Sequence, residues 1–128
     1  MDYETSKHYL LSKPEAEECY PFGPEAAVFK VMNKVYAILG EENGIGRLNL
    51  KCDPMEAIQL RDVFESVIPG YHMNKKHWNT LILDGSIPAN EVERQIDNSY
   101  GLIYKGLKKT ERAYLERLYP MEQLNPEG

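Results

Sequence analysis

The sequence contains few of the residues that mark disulfide-rich, zinc-binding or membrane proteins. Its 128 residues include only two cysteines, Cys19 and Cys52, and neither belongs to a Cys-x-x-Cys pair or a Cys/His cluster. This predicts free, reduced thiols. No apolar run approaches the roughly 20 residues that cross a bilayer. Two of the first four residues, Asp2 and Glu4, are acidic and none is basic, whereas a secretory signal begins with basic residues. We therefore expect a cytoplasmic protein without membrane contact.

An excess of positive charge is also lacking, because 15 basic residues stand against 20 acidic ones and the net charge is −5. The molecule as a whole therefore repels phosphate at long range. Locally the charge is uneven: residues 27–52 and 67–80 each have a net charge of +2, whereas residues 1–26 have −4 and residues 53–66 have −3. We predict two electrostatically different sides, and any nucleic-acid binding must depend on the local positive charge.

Neither a phosphate-binding glycine loop nor a complete catalytic set is present. The Gly44-Ile45-Gly46 stretch is a plain loop and does not support a nucleotide cofactor. Cys52 could act as a nucleophile only if the fold brought it beside His72 or His77, and a small buried hydrophobe is the simpler interpretation. The two histidines are five residues apart, which fits neither a helical metal pair nor one face of a strand. We expect no catalytic residue, no metal site, no cofactor and no enzymatic activity.

Alternating and periodic apolar residues predict an α+β domain. The first helix begins near Thr5 or Ser6, a second is capped by Asp53 and runs to about Ser66, and the third begins at Pro88. Predicted strands cover residues 17–20, 27–32, 35–39, 47–52 and 79–83, with a hairpin turn at Asn33-Lys34. The second helix is expected to bury Ile58, Leu60 and Phe64. The third helix carries an apolar stripe of Val92, Ile96, Tyr100, Ile103 and Leu107.

Strand 47–52 indicates a sheet with one buried face. Because strand side chains alternate, its apolar residues face the core and its polar residues, Arg47, Asn49 and Lys51, face the opposite side. The predicted order is one helix, three or four strands, a helix, two strands and a helix, in two layers with the helices on one face of a curved antiparallel sheet. Residues 1–109 form the domain, and residues 110–128 form an extension with a short helix from near Thr110 to Pro120. Whether it packs on its own domain or on a partner is left open.

Residues 69–80 concentrate cations and rings without any acidic residue. Such a stretch suits an anionic or aromatic partner. Tyr71 and Trp78 could equally be core anchors, with the histidines bonding the backbone of a loop. Lysine is seldom fully buried, so Lys75 and Lys76 are the better site candidates. The cations of strands 27–32 and 47–52 could be an ordinary solvated face, and only their convergence with these lysines would make a phosphate-binding patch.

Several of these segments together resemble the MmcQ/YjbR family. They are Pro21–Pro24, the hairpin at 28–39, Leu50–Pro54, the stretch Pro69–Thr80 and the motif Asp97–Tyr100. The resemblance extends over residues 6–109. Asn98 stands where the family often has His, and the tail beyond Lys109 is longer than in many members.

The resemblance implies a bacterial, cytoplasmic protein with a two-layer fold like that of type III secretion chaperones, with a double-wing arrangement and a DNA-binding role. We therefore rank DNA binding through a local basic surface first. A protein- or peptide-binding module is the alternative, an enzyme comes third, and a monomer is favoured. The candidate nucleic-acid-binding residues are Lys30, Arg47, Lys51, Tyr71, His72, Lys75, Lys76, His77 and Trp78.

Overall fold

The structure, a computed structural model, describes residues 1–70 and 73–126. Within these residues the order of elements is one helix, four strands, a helix, two strands and three helices. It agrees with the predicted order except for an additional short helix at the end, and the strand at residues 67–69 had not been located in the sequence. The elements are α1 (Tyr3–Leu11), β1 (Glu17–Cys19), β2 (Ala27–Val31), β3 (Lys34–Glu42), β4 (Ile45–Lys51), α2 (Pro54–Val63), β5 (Val67–Pro69), β6 (Trp78–Leu83), α3 (Ala89–Lys105), α4 (Lys109–Leu118) and α5 (Met121–Leu124).

The strands form one six-stranded antiparallel sheet in the order β1-β2-β3-β4-β6-β5. Helices α1 and α3 pack on its centre, against β3 and β4, and α2 packs beside β5. The core lies between these helices and one face of the sheet, where Phe29, Leu48 and Leu81 are fully buried together with Ile96 and Tyr100 of α3. This arrangement confirms the predicted α+β class with helices on one face.

The apolar patterns of β4 and α3 gave correct core assignments. Leu48, Leu50 and Cys52 are buried, and Asp53 caps α2 by accepting hydrogen bonds from the backbone N–H groups of Met55 and Glu56. On α3 the predicted stripe is in the core, with Ile103 only partly buried against it. Tyr104, one residue further along, is buried, and burial raises the pKa of its phenol to about 12.

Three local predictions are wrong. Helix α1 begins at Tyr3 because Asp2 and Thr5 cap it reciprocally, so Thr5 and Ser6 lie inside the helix. The hairpin turn is at Met32-Asn33, whose φ angles are 48° and 67°, because Val31 pairs with Lys34. Ile58 is 51% exposed, because α2 turns Ala57 and Leu60 inward instead.

The C-terminal segment packs on the same core as the rest of the chain. Leu115 of α4 and Leu124 of α5 are both fully buried. Tyr104 of α3 donates a hydrogen bond to Glu116, and Asn125 lies so close to Gly101 that a Cβ there would come within 2.8 Å of its Oδ1. The predicted short helix corresponds to α4, and α5 follows it as a further turn. Within the described residues, no helix combines the length and the apolarity needed to cross a membrane.

Candidate nucleic-acid interface

Cross-strand pairing arranges the open face of the sheet, opposite the core, in rows. At one end Glu17 of β1 pairs with Lys30 of β2, and Lys30 pairs with Val35 of β3. At the same end Lys51 of β4 pairs with Trp78 of β6. Because paired residues share a face, Lys30 lies beside Val35 and Lys51 lies beside Trp78 on the open face, although the pairing of β3 with β4 ends at Ala37–Leu50, before it reaches either pair. We call Lys30, Val35, Lys51 and Trp78 the basic row.

A β-bulge and a serine hydroxyl join the two halves of the basic row. The register between β2 and β3 shifts between Phe29 and Lys30, so Tyr36 of β3 has no partner on β2. The Tyr36 side chain points to the core side of the sheet, where its hydroxyl donates a hydrogen bond to the Leu10 carbonyl. Beside it, the Ser99 hydroxyl accepts a hydrogen bond from the Lys51 N–H at 2.9 Å and donates to the Tyr36 carbonyl at 2.6 Å. Ser99 thus bridges β3 and β4 through α3 and fixes the backbone of Lys51.

The loop before β6 lies at the same end of the sheet and carries two more lysines. Lys75 and Lys76 are exposed. The Asn74 side chain accepts a hydrogen bond from the Lys76 N–H at 2.9 Å, and the His77 carbonyl accepts one from Cys52 N–H at 2.8 Å. The first bond is internal to the loop, and the second attaches the loop to the end of β4, next to Lys51.

Arg61 of α2 holds the same loop from the helical side. One guanidinium nitrogen, Nη1, donates to the Lys75 carbonyl at 3.2 Å and to the Asn79 side-chain oxygen at 2.8 Å. Asn79 is buried and donates in turn to the Ala57 carbonyl. Arg61 therefore fixes the backbone of the loop and, being a cation itself, leaves the positive charge of Lys75 in place.

Arg47 is separated from the other cations. It pairs with Ile82 and Gly40 at the far end of the open face. Its Nε lies 3.0 Å from Glu42 Oε2 but is not directed at a hydrogen-bond acceptor in the described part of the chain, so the contact is an ion pair only. The prediction that Arg47 joins a single cationic patch is therefore not supported by its position.

The remaining candidate cations are unpaired within residues 1–70 and 73–126. None of Lys30, Lys51, Lys75 and Lys76 forms an ion pair there. Glu17 is the nearest acid in register, opposite Lys30. The two positive stretches, whose relative position the sequence left open, therefore adjoin at one end of the sheet, where two lysines of the basic row and the two lysines of the loop lie.

The middle row of the open face is largely apolar. It runs from Cys19 to Val28, Ile38, Asn49, Thr80 and Ile68. Both polar atoms of the Asn49 amide are engaged, because Oδ1 accepts from the Thr80 hydroxyl at 2.5 Å and Nδ2 donates to the Ile38 carbonyl at 3.3 Å. Val28 and Thr80 are buried, so the apolar contact area that this row offers next to the cations comes from the half-buried Ile38 and Ile68.

The ring and thiol candidates have different outcomes. Trp78 and His77 are half-buried, and Trp78 lies on the open face instead of anchoring the core. Tyr71 and His72 lie outside the described residues.

Cys52 is buried, and burial raises the pKa of its thiol to about 12, so the thiol stays protonated at neutral pH. Among the described residues no three His, Cys, Asp or Glu side chains are grouped to hold a metal ion.

Two residues that position the lysines, Arg61 and Ser99, were not predicted from the sequence. Arg61 has one visible signal, since it is the only cation among four acids in residues 53–66. Ser99 belongs to the motif Asp97–Tyr100. This motif is part of the family resemblance, but the sequence did not indicate which contacts it makes. Tyr100, the neighbour of Ser99, donates to the Pro14 carbonyl at 2.6 Å and packs edge-on against Tyr36. The motif thus ties α3 to the turn after α1 and to the sheet.

Comparison with known proteins identifies the family of this fold. The family model described as YjbR matches residues 11–102, which include the basic row, the loop and the Asp97–Tyr100 motif. The chain belongs to the YjbR family. Membership confirms the resemblance predicted from the sequence.

Relatives and solved structures agree with this assignment. The chain is 37% identical to the uncharacterized protein YbdF of Escherichia coli O157:H7 over 86% of its own length and 90% of that protein. It is 33% identical to YjbR of Escherichia coli K12, covering 86% and 93%. A Deinococcus radiodurans crystal structure, protein DR2400 with the domain DUF419, superposes with a TM-score of 0.80 at 38% identity, covering 88% of this chain and 86% of that one. A Pseudomonas syringae protein gives 0.70 at 29% identity, covering 80% and 98%. The YjbR family fold is therefore the fold of this chain.

Proposed function

We propose that the chain is a non-enzymatic protein that binds DNA through the basic row and the loop 73–77. The observation that carries the proposal is the grouping of four lysines without ion-pair partners in the described residues. Lys30 and Lys51 stand in one row, and Lys75 and Lys76 follow in the loop fixed to the end of β4. Ammonium groups arranged in this way can neutralise successive phosphates and release their counterions.

The net charge of −5 limits this binding to short range. Electrostatic attraction between exposed charges is screened beyond roughly 10 Å at 0.1 M salt, so the acidic residues elsewhere oppose the approach of DNA most strongly at low salt. Glu17, in register with Lys30, reduces the local potential at one end of the row. Binding is therefore centred on Lys51 and the loop, and it is weak and salt-dependent.

Charge reversal in the loop tests this proposal. We expect the double variant Lys75→Glu/Lys76→Glu to weaken binding to fluorescently labelled DNA by tenfold or more, measured by anisotropy with both duplex and single strand. Because each lost phosphate contact removes about 0.7–0.9 from the slope of log affinity against log salt, the slope should fall by about 1.4–1.8.

The matched control is Lys105→Glu/Lys109→Glu, which changes the net charge equally at exposed residues of α3 and α4. This pair should bind DNA nearly as well as the unchanged chain. Equal losses in both double variants, or affinity that does not depend on salt, would contradict a localised site.

A second candidate function is binding of an extended protein segment. It is favoured by the half-buried Ile38, Ile68 and Ile82, which give the open face more apolar contact area than phosphate binding requires. Protein capture that survives nuclease treatment and depends on Trp78, together with no DNA binding in the titrations above, would favour this candidate.

A further inference from the structure

We infer that the DNA bound at the basic row is single-stranded, with an unpaired base stacked on Trp78. This inference rests on the proposed function and specifies the form of its ligand. It depends on the shape of the open face, the position of the indole ring within it, and the small number of available cations. Each of these favours a strand whose bases are free.

The open face is too wide to enter a groove of duplex DNA. Six strands at a spacing of about 4.8 Å span roughly 24 Å, twice the roughly 12 Å width of the major groove. Trp78 lies on β6, the second strand from one edge, and not on a protruding ribbon. A duplex resting on this face would present phosphates to the lysines but no base to the indole.

Trp78 is well placed to act as a stacking platform. It is half-buried and directly opposite Lys51, so a base on the accessible part of the ring would carry its phosphate towards the ammonium group. Its backbone is held on the other side by Gly70, whose N–H donates to the Trp78 carbonyl at 2.9 Å. A Cβ at Gly70 would lie 2.8 Å from Trp78 Cβ, so glycine permits the close approach that fixes this position.

The spacing along the basic row also suits one extended strand. Lys30 and Trp78 are separated by three strand spacings, which is about 14 Å, and Lys51 lies between them. With so few cations and an acidic molecule, phosphate contacts alone supply little affinity. Stacking of a base on the indole ring adds affinity without any further charge on the protein. Any base can stack in this way because every base has a π-face.

The middle row of the open face, next to Trp78, does not distinguish one base from another. The polar atoms of Asn49 are already bonded to Thr80 and Ile38, and the side chains beyond them are apolar. The open face thus offers stacking and phosphate contacts, and the Asn49 amide in the neighbouring row already uses its oxygen and one of its two N–H groups within the sheet. We therefore expect binding with little sequence preference.

The experiment uses the intrinsic fluorescence of Trp78, the only tryptophan in the chain. The full-length protein is titrated with three ligands at one salt concentration: oligo-dT of roughly ten nucleotides, a duplex of equal length, and an abasic oligonucleotide with the same phosphates. Oligo-dT should quench the fluorescence to saturation. It should bind at least tenfold more tightly than the duplex, and between roughly fivefold and a hundredfold more tightly than the abasic strand, the range expected for one stacked base.

Two protein variants accompany the titration. Trp78→Ala should lose the preference for oligo-dT over the abasic strand, measured by anisotropy of labelled ligands, and Trp78→Phe should keep part of it. If Trp78→Ala does not fold, the comparison with the abasic strand still tests stacking on the unchanged chain. An RNA strand of the same sequence shows whether the sugar matters, and binding as tight as that of the DNA strand leaves the inference intact.

The outcomes separate this inference from the proposed function. Duplex binding as tight as oligo-dT binding, or oligo-dT binding without quenching, would overturn the single-strand inference and leave DNA binding in place. The absence of binding by every ligand would overturn both. Quenching by oligo-dT that is lost with the abasic strand supports both.

Discussion

Replacing Asp97 with Asn should lower the free energy of unfolding by about 3 kcal/mol. Lys13 is only 8% exposed, and its Nζ lies 2.7 Å from Asp97 Oδ1. The Tyr9 hydroxyl donates to the same oxygen at 2.8 Å. Asn preserves the size of the side chain and can still accept a hydrogen bond, but it leaves the buried ammonium group without its counter-ion. Removing one partner of a buried ion pair costs about 3–5 kcal/mol, and the lower end applies because the Asp97 side chain is 20% exposed.

Chemical denaturation of three variants tests this prediction. Glu93→Gln, one turn earlier on α3, is the control for loss of an acid and should change stability by less than about 0.5 kcal/mol. The double variant Lys13→Met/Asp97→Asn should regain much of the loss, because it removes the orphaned charge as well. A cost below about 1 kcal/mol for Asp97→Asn, typical of an exposed pair, would contradict a buried pair that joins the turn after α1 to α3.

Replacing Leu115 with Ala should lower the free energy of unfolding by about 3–5 kcal/mol. Leu115 is fully buried in the core although it lies in the C-terminal segment. Truncation would leave a cavity, and the loss comprises both the transfer free energy of the removed carbons and the cost of that cavity. Because a whole domain is stable by only about 5–15 kcal/mol, the effect would be large.

Leu118→Ala is the matched control, because Leu118 is on the same helix and 55% exposed. It should change the unfolding free energy by less than about 0.5 kcal/mol. The two variants should be compared by the denaturant midpoint at constant slope. Equal effects at both positions would show that α4 does not pack on the core, and would favour an independent C-terminal extension from residue 110.

The parts of the fold that follow from local pattern could be predicted. Strict alternation in β4 identifies its two faces, and the helical stripe of α3 identifies the buried side of a long amphipathic helix. The exposure of Ile58 could not be predicted, because α2 is packed at the edge of the sheet and tertiary position decides which of its apolar residues is covered. The observed hairpin turn lies one residue earlier than the predicted one because the bulge at Tyr36 changes the register between β2 and β3. No sequence pattern in this strand indicates the bulge.

The candidate site could be predicted in composition but not in arrangement. The lysines and Trp78 were identified from their density in the chain and from the alternation of β4. Their alignment depends on long-range pairs such as Lys30–Val35 and Lys51–Trp78, which no local pattern encodes. Arg47 illustrates how correct strand position differs from correct arrangement. It lies on the predicted strand face, but it is at the far end of β4 from the lysines and forms an ion pair with Glu42, so it is not part of the cluster. The roles of Arg61 and Ser99 depend on backbone contacts and could be recognised only in the folded chain.

The most direct test of DNA binding at the basic row is a titration of the isotope-labelled chain with oligo-dT, followed by the chemical shifts of the backbone amides. We expect the largest shifts at residues 73–78 and at Lys30 and Lys51, and unchanged shifts for amides on the outer surfaces of α1 and α3. Shifts concentrated on the helical side of the sheet, or no shifts at saturating oligonucleotide, would contradict it.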